Sequence, residues 1–131
     1  MHHERLAEAI EVLKEVHEKN LAFDYDQWGM KGNHNCGTVA CAGGYLALHA
    51  PFNKQGLCPM ERECLTPLYG DYTGVGALAK FFDIQRKDAI DIFIYAHEQP
   101  SLNKKYPKQV TALDIVNLLQ NLLTVHQEKL K

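Results

Sequence analysis

The chain has 131 residues, of which 46% are hydrophobic and 23% are charged, and its formal net charge is −2. These values predict one soluble globular domain and argue against a general polyphosphate binder, whose surface would be basic. No apolar run approaches the roughly 18 residues of a membrane span, and residues 1–20 lack the pattern of a signal peptide. The sequence therefore predicts a cytoplasmic protein with reduced thiols.

The first predicted element is an amphipathic helix over residues 3–20. Its apolar positions recur at steps of three and four residues, which is the spacing of one helix face; they are Leu6, Ala9, Ile10, Leu13, Val16 and His17. A stripe this wide predicts one wall of the core, and a partner-binding helix is the alternative. Farther along the chain, we expect Phe23, Tyr25 and Trp28 to cap the core.

The least ordinary stretch covers residues 33–49 and holds two cysteines, two histidines and three glycines. Turn-forming residues precede a predicted helix over residues 38–50, which Pro51 would stop. The small residues of this helix favour close packing against another helix. A thiol at the helix start would instead face unpaired N–H groups and the positive dipole end, which lower its pKa. Cys36 as a nucleophile, with His34 as its base, is therefore a second interpretation.

The order Phe23-Asp24-x-x-x-Trp28, then Cys36-Gly37-Thr38-x-x-Cys41-x-x-Gly44, resembles a segment of a family of small uncharacterised helical proteins from phages and bacteria. The likeness covers residues 4–50 and 75–123. This sequence departs from the pattern at Tyr45, where the family has Trp, and by an insert between Pro51 and Gly74. The resemblance implies a phage-associated helical protein and supplies no catalytic assignment. Its shared positions are candidate binding residues, namely Trp28, Cys36, Gly37, Thr38, Cys41 and Gly44.

The four cysteines are spaced as C-x4-C-x16-C-x5-C, at Cys36, Cys41, Cys58 and Cys64. Structural zinc sites favour pairs of ligands separated by two to four residues. Neither pair here is C-x2-C, although His34 or His49 could replace a thiol. Two interpretations therefore remain: these residues bind zinc, or all four thiols are unligated.

Residues 51–74 show no periodicity and are rich in proline and glycine, so we expect one long loop. Short helices follow, over residues 75–82 and 85–97, with a break at Asp83 and Ile84. The pair has the length of a helix-turn-helix, but its second helix carries Asp88 and Asp91 beside its cations. These acids would repel phosphates, so the pattern disfavours nucleic-acid binding.

The last long helix is predicted to start after Thr111. Thr111 and Asp114 approximate a capping box, in which each side chain binds the other residue's backbone N–H. A wide apolar stripe follows, made of Ala112, Ile115, Val116, Leu119, Leu122, Leu123 and His126. The stripe predicts the central core helix; a homodimer seam is the alternative.

Together these elements predict an all-α fold over residues 1–131. It is a compact orthogonal bundle of four main helices with short helices and the loop 51–74. The leading functional hypothesis is a small non-enzymatic binding protein without a cofactor. The resemblance implies that it is phage-encoded and acts on a host protein such as a defence component. The alternatives are a cysteine-dependent enzyme using Cys36 and a module in which cysteines and histidines bind metal. A binding protein should show an exposed apolar patch or groove.

Overall fold

A computed structural model describes residues 1–21, 23, 25, 29–30, 39–60, 65–102, 106 and 109–129. The all-α prediction is confirmed, because the chain is mostly helical. Six helices lie within the described residues: α1 (His3–Glu18), α2 (Ala42–Leu48), α3 (Ala50–Asn53), α4 (Gly74–Phe82), α5 (Arg86–Phe93) and α6 (Ala112–Lys129). Between α5 and α6, the described residues include short 3-10 helices at Ala96–Glu98 and Pro100–Leu102.

Two small antiparallel sheets accompany the helices. Strand β1 (Gly29–Met30) pairs with β2 (Val39–Ala40), placing Gly29 opposite Ala40. The second sheet has the order β3 (Cys58–Pro59), β4 (Pro67–Tyr69) and β5 (Tyr72–Thr73). The segment 51–74 is thus more regular than the predicted loop. Strands of two or three residues are too short to show a periodicity of two, so the sequence pattern could not reveal them.

The helix predicted over residues 38–50 begins later than expected. Val39 and Ala40 pair with β1, and the chain becomes helical only at Ala42. It leaves helical geometry at His49, whose backbone is extended, and restarts as α3 with Pro51 in the first turn. Proline is favourable in that position because the N–H it lacks would have no partner there.

Helices α1 and α6 form the main helix pair, and they run antiparallel. The start of α1 contacts the end of α6 where the rings of His3 and His126 meet edge to face, with centroids 4.9 Å apart. The predicted stripe of α1 is buried except for His17, which is exposed. Ile115, Val116 and Leu119 of α6 are also buried, so the core interpretation of that stripe is confirmed.

The start of α6 has the predicted capping box. The Thr111 N–H donates to Asp114 Oδ2 at 2.9 Å, and the Asp114 N–H donates to Thr111 Oγ1 at 3.2 Å. The break between α4 and α5 is also confirmed, because Asp83 adopts a left-handed conformation with φ of 52° at the end of α4. Local side-chain chemistry therefore sets the ends of both helices.

An aromatic cluster joins α3, α4 and β4 at the centre of the molecule. The Phe81 ring meets Phe52, Phe82 and Tyr69 edge to face, at centroid distances of 4.9, 5.1 and 5.3 Å. Arg5 of α1 places its guanidinium carbon 4.1 Å from the centroid of the Phe81 ring. Edge-to-face rings gain energy beyond their buried area, so the cluster is a strong part of the core.

We expect Phe81→Ala to lower the free energy of unfolding by about 3–5 kcal/mol, because it leaves a cavity among fully buried rings. Urea denaturation followed by circular dichroism measures this change. Tyr106→Ala is the control: its side chain is 64% exposed, and we expect a change within about 0.5 kcal/mol. Equal effects of the two substitutions would contradict the placement of Phe81.

Candidate functional site

Many of the predicted site residues lie outside the described residues. These are Trp28, His34, Cys36, Gly37, Thr38 and Cys64. The hypotheses of a Cys36 nucleophile and of a four-cysteine metal site therefore stay predictions. Within the described part of the chain, no group of three or more His, Cys, Asp or Glu side chains is arranged to hold a metal ion.

Cys41 and Gly44 lie at the start of α2 and are buried. Cys41 is the N-cap residue, with only 3% of its surface exposed, and it makes no side-chain capping hydrogen bond. The residue at the start of α2 is thus Cys41, which follows β2, while Cys36 and Thr38 lie outside the described residues. Helix α2 contacts α1, α3, α4, β3 and β4, and its first three residues, Ala42, Gly43 and Gly44, are buried.

Tyr25 ties the segment before β1 to the end of α5. Its hydroxyl donates to the carbonyl of Ile92 at 2.7 Å and accepts the N–H of Ala96 at 2.9 Å. Burial raises the pKa of Tyr25 well above its ordinary value; the nearby Cys41 adds to this, and the Ala96 N–H opposes it. A neutral hydroxyl that both donates and accepts suits a structural role. The prediction that Tyr25 caps the core is confirmed.

We expect Tyr25→Phe to cost about 1–3 kcal/mol of unfolding free energy, because it leaves a buried N–H and a buried carbonyl without their partner. Chemical denaturation measures the loss. Tyr95→Phe is the matched control, since the Tyr95 side chain is 46% exposed. A Tyr25→Phe variant as stable as the wild type would contradict these hydrogen bonds.

The two described cysteines should differ in reactivity. Cys41 is buried, whereas Cys58 in β3 is half-buried, with its Sγ 3.9 Å from the carbonyl oxygen of Leu68. We expect iodoacetamide to alkylate Cys41 at least about tenfold more slowly than Cys58 in the native protein, because alkylation needs an exposed thiolate. Peptide mass spectrometry over time measures both rates, and the protein in urea is the control. Equal native rates would contradict the burial of Cys41.

The same time course tests the two cysteine hypotheses. A fast adduct on Cys36 would favour a nucleophile. Protection of several thiols that ends when a chelator is added would favour the metal module. Slow reaction of all four thiols, insensitive to chelator, would count against both.

An open groove lies between the end of α1 and the start of α6. It encloses about 420 Å³ and is lined by Val16, His17, Asn20, Leu21, Phe23, Val110, Thr111 and Ala112. Asn20 adopts a left-handed conformation with φ of 52°, and this turns the chain out of α1. Leu21 follows directly and remains 44% exposed. The groove therefore presents an exposed leucine in a lining that mixes apolar and polar residues. We call it the α1–α6 groove.

Another face of α1, which lines a separate depression beside His49, is acidic. It carries Glu4, Glu8, Glu11, Glu15 and Glu18, against the cations Lys14 and Lys19. Lys19 pairs with Glu15, and Lys14 lies 3.5 Å from Glu11. His49 Nε2 lies 3.3 Å from Glu8 Oε1, although the contact lacks hydrogen-bond geometry. The glutamates outnumber the lysines, so this face is negative along the helix.

Comparisons with protein-family models, curated proteins and solved structures found no match to this chain. No helix in the described part of the chain is both long and apolar enough to cross a membrane. The geometry of the chain's own residues therefore carries the functional argument.

Sequence reasoning missed most of the α1–α6 groove. Of its lining residues, only Phe23 belongs to the motif that the sequence singled out. Leu21 was the one sequence signal for an exposed groove, because a large apolar residue directly after a helix end is exposed unless another element covers it. The sequence around Val110 and Thr111 did not indicate the groove, since their position beside α1 depends on how α6 packs.

Proposed function

We propose that this chain is a small non-enzymatic protein-binding module that holds its partner in the α1–α6 groove. The observation that carries the proposal is the 44% exposure of Leu21 beside the half-buried Phe23 in that groove. Binding sites on proteins combine an apolar centre with a polar rim. Here Leu21 and Phe23 supply the accessible apolar surface, and the exposed residues His17, Asn20 and Thr111 lie around it.

The partner should present an apolar side chain. This side chain would cover Leu21 and Phe23, where the gain from removing apolar surface from water is greatest. The glutamates of α1 line another face of the helix, so they do not set the charge of the partner at this groove.

The resemblance to small phage and bacterial proteins supports a host protein as the partner, such as a defence component. Phe23, the first residue of the shared motif, lines the groove and so connects that motif with the proposed surface. A cytoplasmic location is part of the proposal. The free thiol of Cys58 supports it, because thiols stay reduced in that compartment.

The test compares Leu21→Glu with Tyr95→Glu, whose side chains are 44% and 46% exposed in the wild type. Each variant and the wild type are immobilised and exposed to a bacterial lysate, and the retained proteins are identified. Each retained protein is then purified and titrated by calorimetry against the wild type and the two variants. We expect a partner that binds the wild type and Tyr95→Glu alike. Leu21→Glu should weaken it by at least about 2 kcal/mol, or roughly thirtyfold in Kd, because it puts a charge in the apolar centre.

Thermal unfolding of both variants serves as the folding control, since surface substitutions of this kind change stability little. Loss of binding in both variants, or in neither, would contradict the groove as the binding surface. Failure of every retained protein to bind in purified form would contradict the proposed function itself.

A further inference from the structure

A second depression lies on another part of the molecule, between the β4–β5 hairpin and the turn from α4 to α5. It encloses about 230 Å³ and is lined by Tyr72, Gly76, Ala79, Lys80, Asp83, Ile84 and Arg86. This volume is below the range of about 300–1,000 Å³ that is typical of sites for drug-sized ligands. It suits one side chain of a larger partner.

The hairpin places an aromatic ring against α4. Gly70, with φ of 60°, forms the turn of the hairpin, and Tyr72 follows on β5. A Cβ added to Gly76 would stand 3.9 Å from Tyr72 Cδ1, so the ring lies close over the helix there. Tyr72 is nevertheless 46% exposed. It therefore forms an accessible aromatic wall above a floor of small and aliphatic residues.

Two cations border this wall. Lys80 Nζ lies 5.1 Å from the centroid of the Tyr72 ring, and Arg86 opens α5. Both side chains belong to exposed residues. Among the described residues, neither has a carboxylate within 4.0 Å. Arg86 and Lys80 thus retain donors that can bind an anion, and the planar guanidinium matches a carboxylate with two parallel hydrogen bonds.

The surrounding charges disfavour nucleic acid as the occupant. Asp83 lines the depression, and its Oδ2 already accepts a hydrogen bond from the Met1 amino group at 2.9 Å. Asp71 and Asp88 are close in sequence to Tyr72 and Arg86. Nucleic acid binds to an extended basic surface, and these carboxylates interrupt the basic surface around the depression. One carboxylate side chain on a protein needs only the two cations.

We propose that this depression binds an acidic side chain of a protein partner, with Lys80 and Arg86 as the anion contacts and Tyr72 as the aromatic wall. The carboxylate lies between the ammonium and the guanidinium, and its methylene groups cover the Tyr72 ring and Ala79. The depression shares no lining residue with the α1–α6 groove, so this proposal does not depend on the other.

The test uses fluorescein-labelled hexaglutamate as the probe and labelled hexaglutamine as the uncharged control, with fluorescence anisotropy as the readout at low salt. We expect hexaglutamate to bind and hexaglutamine not to bind. The double variant Lys80→Met with Arg86→Met should raise the Kd of hexaglutamate by about tenfold or more, because it removes two charge-assisted contacts. Methionine keeps the length of the side chains and removes the charge.

The matched control is the double variant Lys14→Met with Lys54→Met, which removes the same amount of charge elsewhere. We expect it to change the Kd by less than about twofold. Equal losses in the two double variants, or no measurable hexaglutamate binding to the wild type at millimolar concentration, would overturn the proposal. Thermal unfolding of both variants checks that the fold is intact.

Two further outcomes would assign the surface to another occupant and so overturn the proposal. One is an oligothymidylate that binds more tightly than hexaglutamate and with the same dependence on Lys80 and Arg86. The other is self-association of the unlabelled chain, measured by sedimentation, that the Lys80→Met with Arg86→Met variant abolishes. In that case the acidic face of α1 on a second copy would occupy the depression.

Discussion

The contact between Arg5 and Phe81 is the constraint on which the arrangement of the helices depends. The guanidinium of Arg5 lies over the Phe81 ring, while its Nη1 donates to the Phe81 carbonyl and its Nε donates to Gln55 Oε1, each at 2.8 Å. One side chain of α1 therefore binds the end of α4 and the turn after α3. Because Phe81 also meets Phe52 and Tyr69, this contact ties α1 to the aromatic cluster. A partly desolvated cation over a ring contributes up to about 2 kcal/mol.

A second long-range tie is the hydroxyl of Tyr25. It supplies hydrogen bonds to backbone groups where α5 ends, since Ile92 and Ala96 lie on either side of the helix terminus. It also brings the segment before β1 next to Cys41 and the start of α2. Ala42, Gly43 and Gly44 at that start are buried, so the described part of the motif stretch lies within the packed interior.

The two proposed binding surfaces lie where these ties leave side chains uncovered. The α1–α6 groove opens because Asn20 turns the chain outward and exposes Leu21. The second depression opens because the β4–β5 hairpin lays Tyr72 over Gly76 while Lys80 and Arg86 face solvent. The first surface offers an exposed leucine, whereas the second offers two exposed cations beside an aromatic ring.

The sequence by itself determined the elements whose signals are local. The stripes of α1 and α6, the capping box at Thr111 and the break at Asp83 each depend on residues within a few positions of one another, and each was predicted. Tertiary structure alone decided the pairing of Val39 and Ala40 with β1, which overrode a local helix preference. It also decided the sheet within the segment 51–74, the role of the Tyr25 hydroxyl and both depressions. The physical reason is that these features join segments that are distant in the chain. The sequence of one segment does not indicate which other segment it will contact.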